Sequence, residues 1–241
     1  QPTRLRTMRA AIAWSHDLLT AAEQIAFRRL AVFAGGFTLE AAETVATLDA
    51  IASLVEHNLV SCTSRAAGDA RYGMLETIRE FGLEQLEATG EATAVRDAHA
   101  AYLLSLVVEA ERYLFGPDQV AWLDRLEVEL PNLRAALTWL RECGRVDEGL
   151  RLAATPGRFW WRRGYLNEGR SWLDAFLALA PAEGASPDRI RALIVAGDIA
   201  AWQKDLGQAT ARHGEAAALA RTLGDAWGLA MALYGLGCDA V

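Results

Sequence analysis

The chain has 241 residues and a mass of 26.2 kDa, which is enough for one large or two modest domains. A hydrophobic share of 52% excludes a disordered tail, and a formal charge of -7 argues against binding nucleic acid over the whole surface. Lys204 is the only lysine and no glycine-rich loop precedes it, so the chain lacks a phosphate-binding P-loop. We expect no catalytic site and no enzymatic activity of its own.

The first stretch, residues 4–34, has the periodicity of two amphipathic helices. Apolar residues between Leu5 and Leu19 recur at the spacing of one helix face. Thr20 and Glu23 form a capping box that begins the second helix, because each side chain can accept from the other's free amide. Gly35 and Gly36 end it.

A change of periodicity follows two short helices, one from Thr38 and one over 48–57. Residues 59–63 and 71–75 are short, β-branched and alternating, and residues 64–70 between them have turn composition. Several helices followed by a two-stranded hairpin predict a winged helix-turn-helix.

From Glu76 onward the pattern predicts helices only, over 76–89, 92–114, 118–130 and 132–143. The fold class is therefore mainly α. We expect a winged-helix domain over 1–95, with linking helices to about 115, and a helical repeat domain over 116–241 that is truncated at its C-terminus.

The repeat is indicated by three glycines, Gly157, Gly197 and Gly237, which are spaced by 40 residues. A period near 40 is typical of stacked helical hairpins, and the spacing of small residues resembles the tetratricopeptide pattern. We expect an α-solenoid of tetratricopeptide-like hairpins with the three glycines at equivalent sites. The alternative is a coincidence of glycines in an alanine-rich bundle.

The fourth helix, residues 48–57, is the one that normally enters the DNA major groove. It has no Arg or Lys and carries Asp49 and Glu56, and residues 1–95 hold eight basic and twelve acidic side chains. Because phosphate contacts need cations, we expect this winged helix to pack on protein rather than on DNA.

A candidate partner-binding site comes from the repeat frame, which places Trp160 in the core and a set of arginines and aromatics on the concave face. Such residues are enriched in protein-recognition surfaces, which suggests a groove for an acidic or amphipathic partner. The alternatives are a solvated face and a groove filled by the protein's own chain. The set is Arg151, Arg158, Trp161, Arg162, Arg191, Asp198, Trp202 and Tyr234.

The cysteines and histidines suggest no chemistry. Cys62, Cys143 and Cys238 lie far apart and are expected to be free thiols in a reducing cytoplasm. The four histidines share no ligand spacing, so we expect no metal site, and no apolar run is long enough to cross a membrane.

Two long motifs carry a family resemblance. Residues 14–19 (WSHDLL) continue through 27–43 (FRRLAVFAGGFTLEAAE), and residues 71–81 read RYGMLETIREF. Together with Asn132–Leu137 and the repeats, they resemble the segment beyond the ATPase module of STAND-class regulators, signal-transduction ATPases that include many LuxR-family transcriptional regulators.

The resemblance implies that an NB-ARC-like core upstream binds ATP or ADP, that the winged helix holds its closed state, and that a protein or small-molecule ligand binds the repeats. DNA would be contacted through another domain. Met74, Leu75 and Glu76 lie where related proteins carry a nucleotide-sensing Met-His-Asp motif. Leu75 replaces the histidine, and Glu76 could equally be a plain helix-capping charge. No cofactor is expected in this chain itself.

The function that we expect is regulatory: the chain couples partner binding on the repeats to a nucleotide switch in a neighbouring domain of a cytoplasmic transcriptional regulator. Two alternatives stay open. One is a winged helix that binds DNA directly through arginines such as Arg65 and Arg71. The other is an accessory domain of a cyclase- or kinase-linked signalling enzyme.

Overall fold

A computed structural model describes residues 3–64, 70–181 and 184–239. Its contacts divide the chain into two compact units. The first contains Gln1–Tyr102 and Glu129–Ala136, and the second contains Leu103–Val128 and Leu137–Val241. Residues 129–136, which the sequence analysis placed with the repeats, therefore belong to the unit that contains the predicted winged helix.

The first unit consists of short helices around a small sheet, as predicted. Its elements in chain order are α1 (Thr3–Asp17), α2 (Ala21–Leu30), β1 (Phe37–Thr38), α3 (Leu39–Glu43), α4 (Leu48–Glu56), β2 (Ser61–Ser64), β3 (Arg71–Gly73), α5 (Glu76–Ala88) and the first part of α6 (Ala92–Glu111).

Local side-chain chemistry sets the start of α2. The Thr20 amide donates to Oε2 of Glu23 over 2.7 Å, and the Glu23 amide donates to the Thr20 hydroxyl over 3.4 Å. The predicted capping box is thus confirmed. The same Glu23 carboxylate accepts from the hydroxyl of Ser53 in α4, so the cap also joins two helices.

The sheet has three antiparallel strands in the order β1-β3-β2. The hairpin of β2 and β3 was predicted, whereas β1 was not, because two residues carry no readable alternation. Phe37 of β1 and Cys62 of β2 both pair with Tyr72. Gly36 precedes β1 with φ +75°, and a Cβ there would lie 2.5 Å from the Tyr72 carbonyl oxygen, so this position requires glycine.

The core of the first unit contains aromatic and aliphatic side chains from nearly every element. Phe27 and Leu54 are fully buried, and Phe33, Phe37 and Leu86 pack in the same cluster. The helices and the sheet therefore share one hydrophobic core, which is what positions the exposed face of α4.

The second unit consists of the rest of α6 and helical hairpins. Its remaining elements are α7 (Gln119–Val128), α8 (Leu130–Glu142), α9 (Val146–Ala154), α10 (Gly157–Arg162), α11 (Leu166–Leu179), α12 (Pro187–Trp202), α13 (Leu206–Leu223) and α14 (Ala226–Asp239), with the start of α8 in the first unit. A mainly α fold with a small sheet in its first part is thus confirmed.

A period of 40 residues appears in the helix ends and turns of the second unit. Helices α10 and α12 end at Arg162 and Trp202, and α11 and α13 begin at Leu166 and Leu206. Gly164 and Lys204, also 40 positions apart, turn the chain in the left-handed region with φ of 77° and 65°. A non-glycine residue such as Lys204 seldom adopts this conformation. Its match with Gly164 therefore reflects the same turn geometry in both hairpins.

The three glycines do not share one packing environment, although Gly157 and Gly197 each lie five residues before the last residue of their helix. A Cβ at Gly157 would meet Val195 at 2.8 Å, and one at Gly197 would meet His213 at 2.5 Å. Apart from its chain neighbours and its own helix backbone, no described atom lies within 4 Å of a Cβ at Gly237. The period is kept by the turns and helix ends rather than by close packing at these glycines.

Candidate partner-binding surface

Helix α4 presents a face without positive charge. Leu48, Asp49, Ala52 and Glu56 are exposed on it, while Ile51 and Leu54 are buried in the core. These four exposed residues recur at the spacing of one helix face. Because the opposite face of α4 packs in the core, an acidic and apolar surface remains where a recognition helix would meet DNA.

Arg71, a candidate DNA contact in the sequence, is held inside the first unit. Its guanidinium is 12% exposed and forms an ion pair with Glu129 at 2.5 Å. It also donates to the carbonyl oxygens of Gly35, over 2.8 and 3.0 Å, and of Gly36, over 3.0 Å. Arg65, the other candidate, lies outside the described residues.

Asn132 completes this network from the first turn of α8. Its amide nitrogen donates to the Gly36 carbonyl over 2.9 Å and to Glu129 over 2.6 Å, while its oxygen accepts from the Gly35 amide over 3.2 Å. Burial lowers the pKa of the neighbouring His99 to about 4, partly opposed by a hydrogen bond with Asn132. The Gly-Gly motif, Arg71 and Asn132, which the sequence shows far apart, therefore form one buried cluster.

The residues at the nucleotide-sensor-like position lie at the junction of β3 and α5. Met74 packs partly buried against the core of the first unit, and Leu75 is 69% exposed at the N-cap of α5. Glu76 is paired with Arg79 one turn on, over 2.7 Å, and the hydrogen bond with Arg79 lowers the pKa of the Glu76 carboxyl. The charge of Glu76 is thus paired within its own helix, α5.

Four of the eight predicted groove residues stack into one continuous group on the second unit. The Arg158 guanidinium carbon lies 4.3 Å from the ring centroid of Phe115, and that of Arg162 lies 4.4 Å from the ring centroid of Trp161. The rings of Trp161 and Trp202 stack at 4.5 Å. We call Phe115, Arg158, Trp161, Arg162 and Trp202 the aromatic–arginine surface.

Phe115 was missed by the sequence analysis, although it is 73% exposed and covers Arg158. A lone phenylalanine before a Gly-Pro turn gives no signal of a role. Trp160, predicted to pack inward, is fully buried, and its indole nitrogen donates to the Ala153 carbonyl over 2.9 Å.

The other four groove residues are placed differently. Asp198 and Tyr234 line a pocket of about 250 Å³ that Trp202 also borders. Arg191 is held in an ion pair with Glu111, and Arg151 is exposed on α9, where its charge acts on the nearby Asp188. The predicted groove thus contains a stacked cationic part and an acidic pocket that meet at Trp202.

The described part of the chain offers neither a cluster of metal ligands nor a helix that could span a membrane. No three His, Cys, Asp or Glu residues there are grouped so that they could hold a metal ion. No helix within these residues has both the length and the apolar character needed to cross a bilayer.

Comparison with known proteins gives two kinds of match. Residues 19–87 match the family model of a winged helix-turn-helix domain. Over 258 aligned residues, the chain is 38% identical to "Putative HTH-type transcriptional regulator Rv0890c" of Mycobacterium tuberculosis and, equally, to its counterpart Mb0914c of Mycobacterium bovis. Each alignment covers 98% of this chain and 28% of the relative, so the chain spans little more than a quarter of those proteins.

A further relative matches over a shorter stretch. "Uncharacterized protein Rv0894" of Mycobacterium tuberculosis is 37% identical over 108 residues, which is 41% of this chain and 27% of that protein. No solved structure matches the chain. Residues 19–87 thus form a winged helix-turn-helix domain, within a chain that is similar over nearly its whole length to part of proteins named putative HTH-type transcriptional regulators.

Proposed function

We propose that this chain is the coupling part of a longer cytoplasmic transcriptional regulator. A partner or ligand binds the helical unit, and the winged helix passes that event through protein contacts to a nucleotide switch in a neighbouring domain. The names of the relatives support the regulatory role, and the resemblance to STAND-class regulators supports the switch. The ATP or ADP belongs to that neighbouring domain.

The observation that carries the proposal is the charge of the α4 face. DNA affinity depends on Lys and Arg side chains that neutralise phosphates, and the exposed part of α4 offers Asp49 and Glu56 instead. If α4 entered the major groove of DNA, each of these carboxylates would face phosphates that carry the same negative charge. The same face, with Leu48 exposed, is suited to a protein surface that carries apolar and basic residues.

Six of the described arginines of the first unit are paired with carboxylates, which reduces the positive potential that they could offer to DNA. Arg71 is among them, through Glu129, and so are the five further pairs Arg9–Glu84, Arg28–Glu91, Arg29–Glu91, Arg79–Glu76 and Arg96–Glu87. A winged helix with this distribution is better suited to act within the protein than on a duplex.

In this proposal the helical unit is the sensor. The 40-residue period of its turns and helix ends supports tetratricopeptide-like hairpins. Exposed aromatics and arginines at the centre of a patch are typical of residues that dominate protein binding. The aromatic–arginine surface is therefore the site for an acidic segment of the partner.

A direct test of the winged helix is a mobility-shift titration of this chain on duplex DNA at several salt concentrations. We expect no shift that survives about 0.15 M salt. Replacement of Asp49 and Glu56 by lysine should then increase DNA affinity, because it supplies the missing phosphate contacts. The control is the same double substitution at Glu40 and Glu43, which lie on α3.

Direct DNA binding is the second candidate function, because the winged helix-turn-helix match and the names of the relatives favour it. Tight binding by the unaltered chain, lost when Arg65 is replaced by alanine, would establish it in place of our proposal. Arg71 is unsuitable for that test, because its loss would disturb the Glu129 pair rather than a DNA contact.

Binding of an acidic partner to the aromatic–arginine surface is tested with a glutamate-rich octapeptide as the probe. We expect salt-sensitive binding that weakens at least about ten-fold in the variant with Trp161→Ala and Arg162→Ala. Trp227→Ala, which removes an exposed tryptophan elsewhere in the second unit, is the matched control. Equal binding by both variants would contradict the proposed surface. Titration with ATP or ADP should show no tight site in this chain.

A further inference from the structure

A pocket between α12, α13 and α14 lies next to the aromatic–arginine surface and has the opposite charge. Its volume is about 250 Å³, and it is bordered by Asp198 and Trp202 of α12, by His213 of α13, and by Tyr234 and Asp239 of α14. The volume is below the range of about 300–1,000 Å³ typical of drug-sized ligands, so the pocket fits a small molecule or one side chain.

His213 forms the base of this pocket and is 1% exposed. Its Nδ1 lies 2.8 Å from Oδ2 of Asp239, and its Nε2 lies 3.4 Å from Oδ1 of Asp198. The ring fits between the helices because Gly197 and Gly235 flank it, and a Cβ at either glycine would come within 2.6 Å of the ring. The glycines thus hold an imidazole between two carboxylates.

Asp239 is incompletely satisfied. Its side chain is 2% exposed, and its Oδ1 has no hydrogen-bond partner within the described residues. A buried carboxylate oxygen without a partner is costly, and a donor placed in the pocket would relieve that cost. This is the observation that indicates a ligand rather than a merely acidic surface.

The charges that face the pocket sum to a negative value in either state of the imidazole. Burial tends to lower the pKa of His213, but hydrogen bonds and charge from Asp198 and Asp239 raise it overall. A protonated imidazole offsets one of the two carboxylates and leaves the other, which disfavours an anion and favours a monocation.

Two exposed aromatic rings complete the arrangement. Trp202 is 55% exposed and Tyr234 is 70% exposed at the rim. Cations bind over the faces of such rings, and tryptophan is the best of them. An ammonium group between aromatic rings and an unsatisfied carboxylate has both a charge partner and a hydrogen-bond acceptor.

We propose that this pocket is a binding site for an alkylammonium group, carried either by a small primary amine or by a lysine side chain. The inference rests on the proposed sensing role of the helical unit and adds a ligand class to it. The aromatic–arginine surface then binds an acidic group at Arg158 and Arg162, and the pocket binds an ammonium group at Asp198 and Asp239. Trp202 belongs to both.

The test is an NMR titration of this chain that follows the Trp202 indole and the His213 imidazole. The probes are n-butylammonium at neutral pH and n-butanol as its uncharged counterpart. We expect saturable shifts with n-butylammonium and at least ten-fold weaker effects with n-butanol. Equal effects of the two probes, or no saturable shift with the cation, would overturn the proposal.

The variants Asp198→Asn and Asp239→Asn should each weaken n-butylammonium at least five-fold, and Asp118→Asn, at an exposed position on the same unit, should not. Asp198 is half-exposed, so its variant remains informative if Asp239→Asn lowers stability. Unchanged affinity in both pocket variants would overturn the proposal.

The source of the ammonium group is distinguished by titrating N-acetyl-lysine methylamide beside n-butylammonium. Tighter binding of the lysine compound assigns the pocket to a protein partner, and tighter or equal binding of n-butylammonium assigns it to a free amine. Replacement of Arg158 and Arg162 by alanine should abolish binding of the acidic octapeptide while leaving amine binding intact. Failure of the proposed function and failure of this pocket are thus separate outcomes.

Discussion

The indole rings of Trp161 and Trp202 stack with their centroids 4.5 Å apart and their planes inclined by 28°. Trp161 is the residue before the last one of α10, and Trp202 is the last residue of α12, so both lie near the turns at Gly164 and Lys204. The stack therefore links neighbouring repeats of the chain while keeping Trp202 more than half exposed. One side chain thus belongs both to the packing of the hairpins and to the candidate binding surface.

This relationship predicts an energetic coupling between the two tryptophans. In a double-mutant cycle with Trp161→Ala and Trp202→Ala, we expect a coupling of about 0.5–1.5 kcal/mol in the free energy of unfolding, the range found for aromatic pairs. Urea denaturation of the four proteins measures it. A cycle with Trp161→Ala and Trp227→Ala is the control and should be additive, and additivity in the first cycle would contradict the stacking.

The buried pair of Arg71 and Glu129 predicts a large stability effect for Arg71→Ala. We expect a loss of about 3–5 kcal/mol, because the substitution leaves the Glu129 carboxylate, 4% exposed, without its charge partner. Arg71→Lys should not restore stability, since a lysine cannot donate in the planar pattern that reaches Glu129 and Gly35 together.

The matched control for Arg71 is Arg9→Ala, which removes an exposed ion pair with Glu84. Solvent screens such pairs, so we expect little change in the free energy of unfolding. Thermal or urea unfolding of the three variants measures the contrast. Equal losses for Arg71→Ala and Arg9→Ala would mean that residues 129–136 do not anchor to the first unit as described.

His99 predicts an acid-dependent loss of stability. Its folded pKa of about 4 lies below the unfolded value of 6.5, so between these pH values the unfolded chain binds a proton that the folded chain does not. Stability from this group is therefore full above pH 6.5 and is lost as pH falls toward 4. From pH 7 to 4.5 the loss should be about 2–3 kcal/mol.

The measurement is urea unfolding of the unaltered chain and of His99→Gln across that pH range. Other groups titrate in both proteins, so the difference between the two curves isolates His99. The variant should be less stable at pH 7, and the difference should shrink as pH falls. Parallel curves would contradict the burial of a neutral imidazole beside Asn132 and Phe33.

Two of the three glycines in α14, Gly235 and Gly237, have opposite predictions. In Gly235→Ala the new methyl group would lie 2.6 Å from the His213 ring, so we expect a loss of about 1–3 kcal/mol as the ring is displaced. In Gly237→Ala the methyl group meets no described atom within 4 Å, and the better helix propensity of alanine should leave stability equal or raise it by up to about 1 kcal/mol.

Thermal unfolding of both variants tests this contrast, and the His213 imidazole resonances report on the displacement. A destabilised Gly237→Ala with a tolerated Gly235→Ala would contradict the packing of α14 against His213 described here.

The sequence was sufficient where a structure depends on residues within one turn or one strand. The Thr20–Glu23 capping box and the β2–β3 hairpin rest on local hydrogen bonds and backbone preferences. The end of α2 was predicted less well, because the helix ends at Leu30, five residues before Gly35. The repeat frame likewise placed Trp160 in the core, where it is fully buried. The acidic character of α4 followed directly from its composition.

Only the tertiary structure decided features that join residues remote in the sequence. The strand β1 exists because Phe37 can pair with Tyr72, and Arg71 is structural because Glu129, which lies just before α8 and accepts from Asn132, forms an ion pair with it. The pairing of His213 with Asp239 likewise depends on how α13 and α14 pack. Local propensity cannot encode such contacts, because their free energy arises from burial and charge that appear only after the helices have come together.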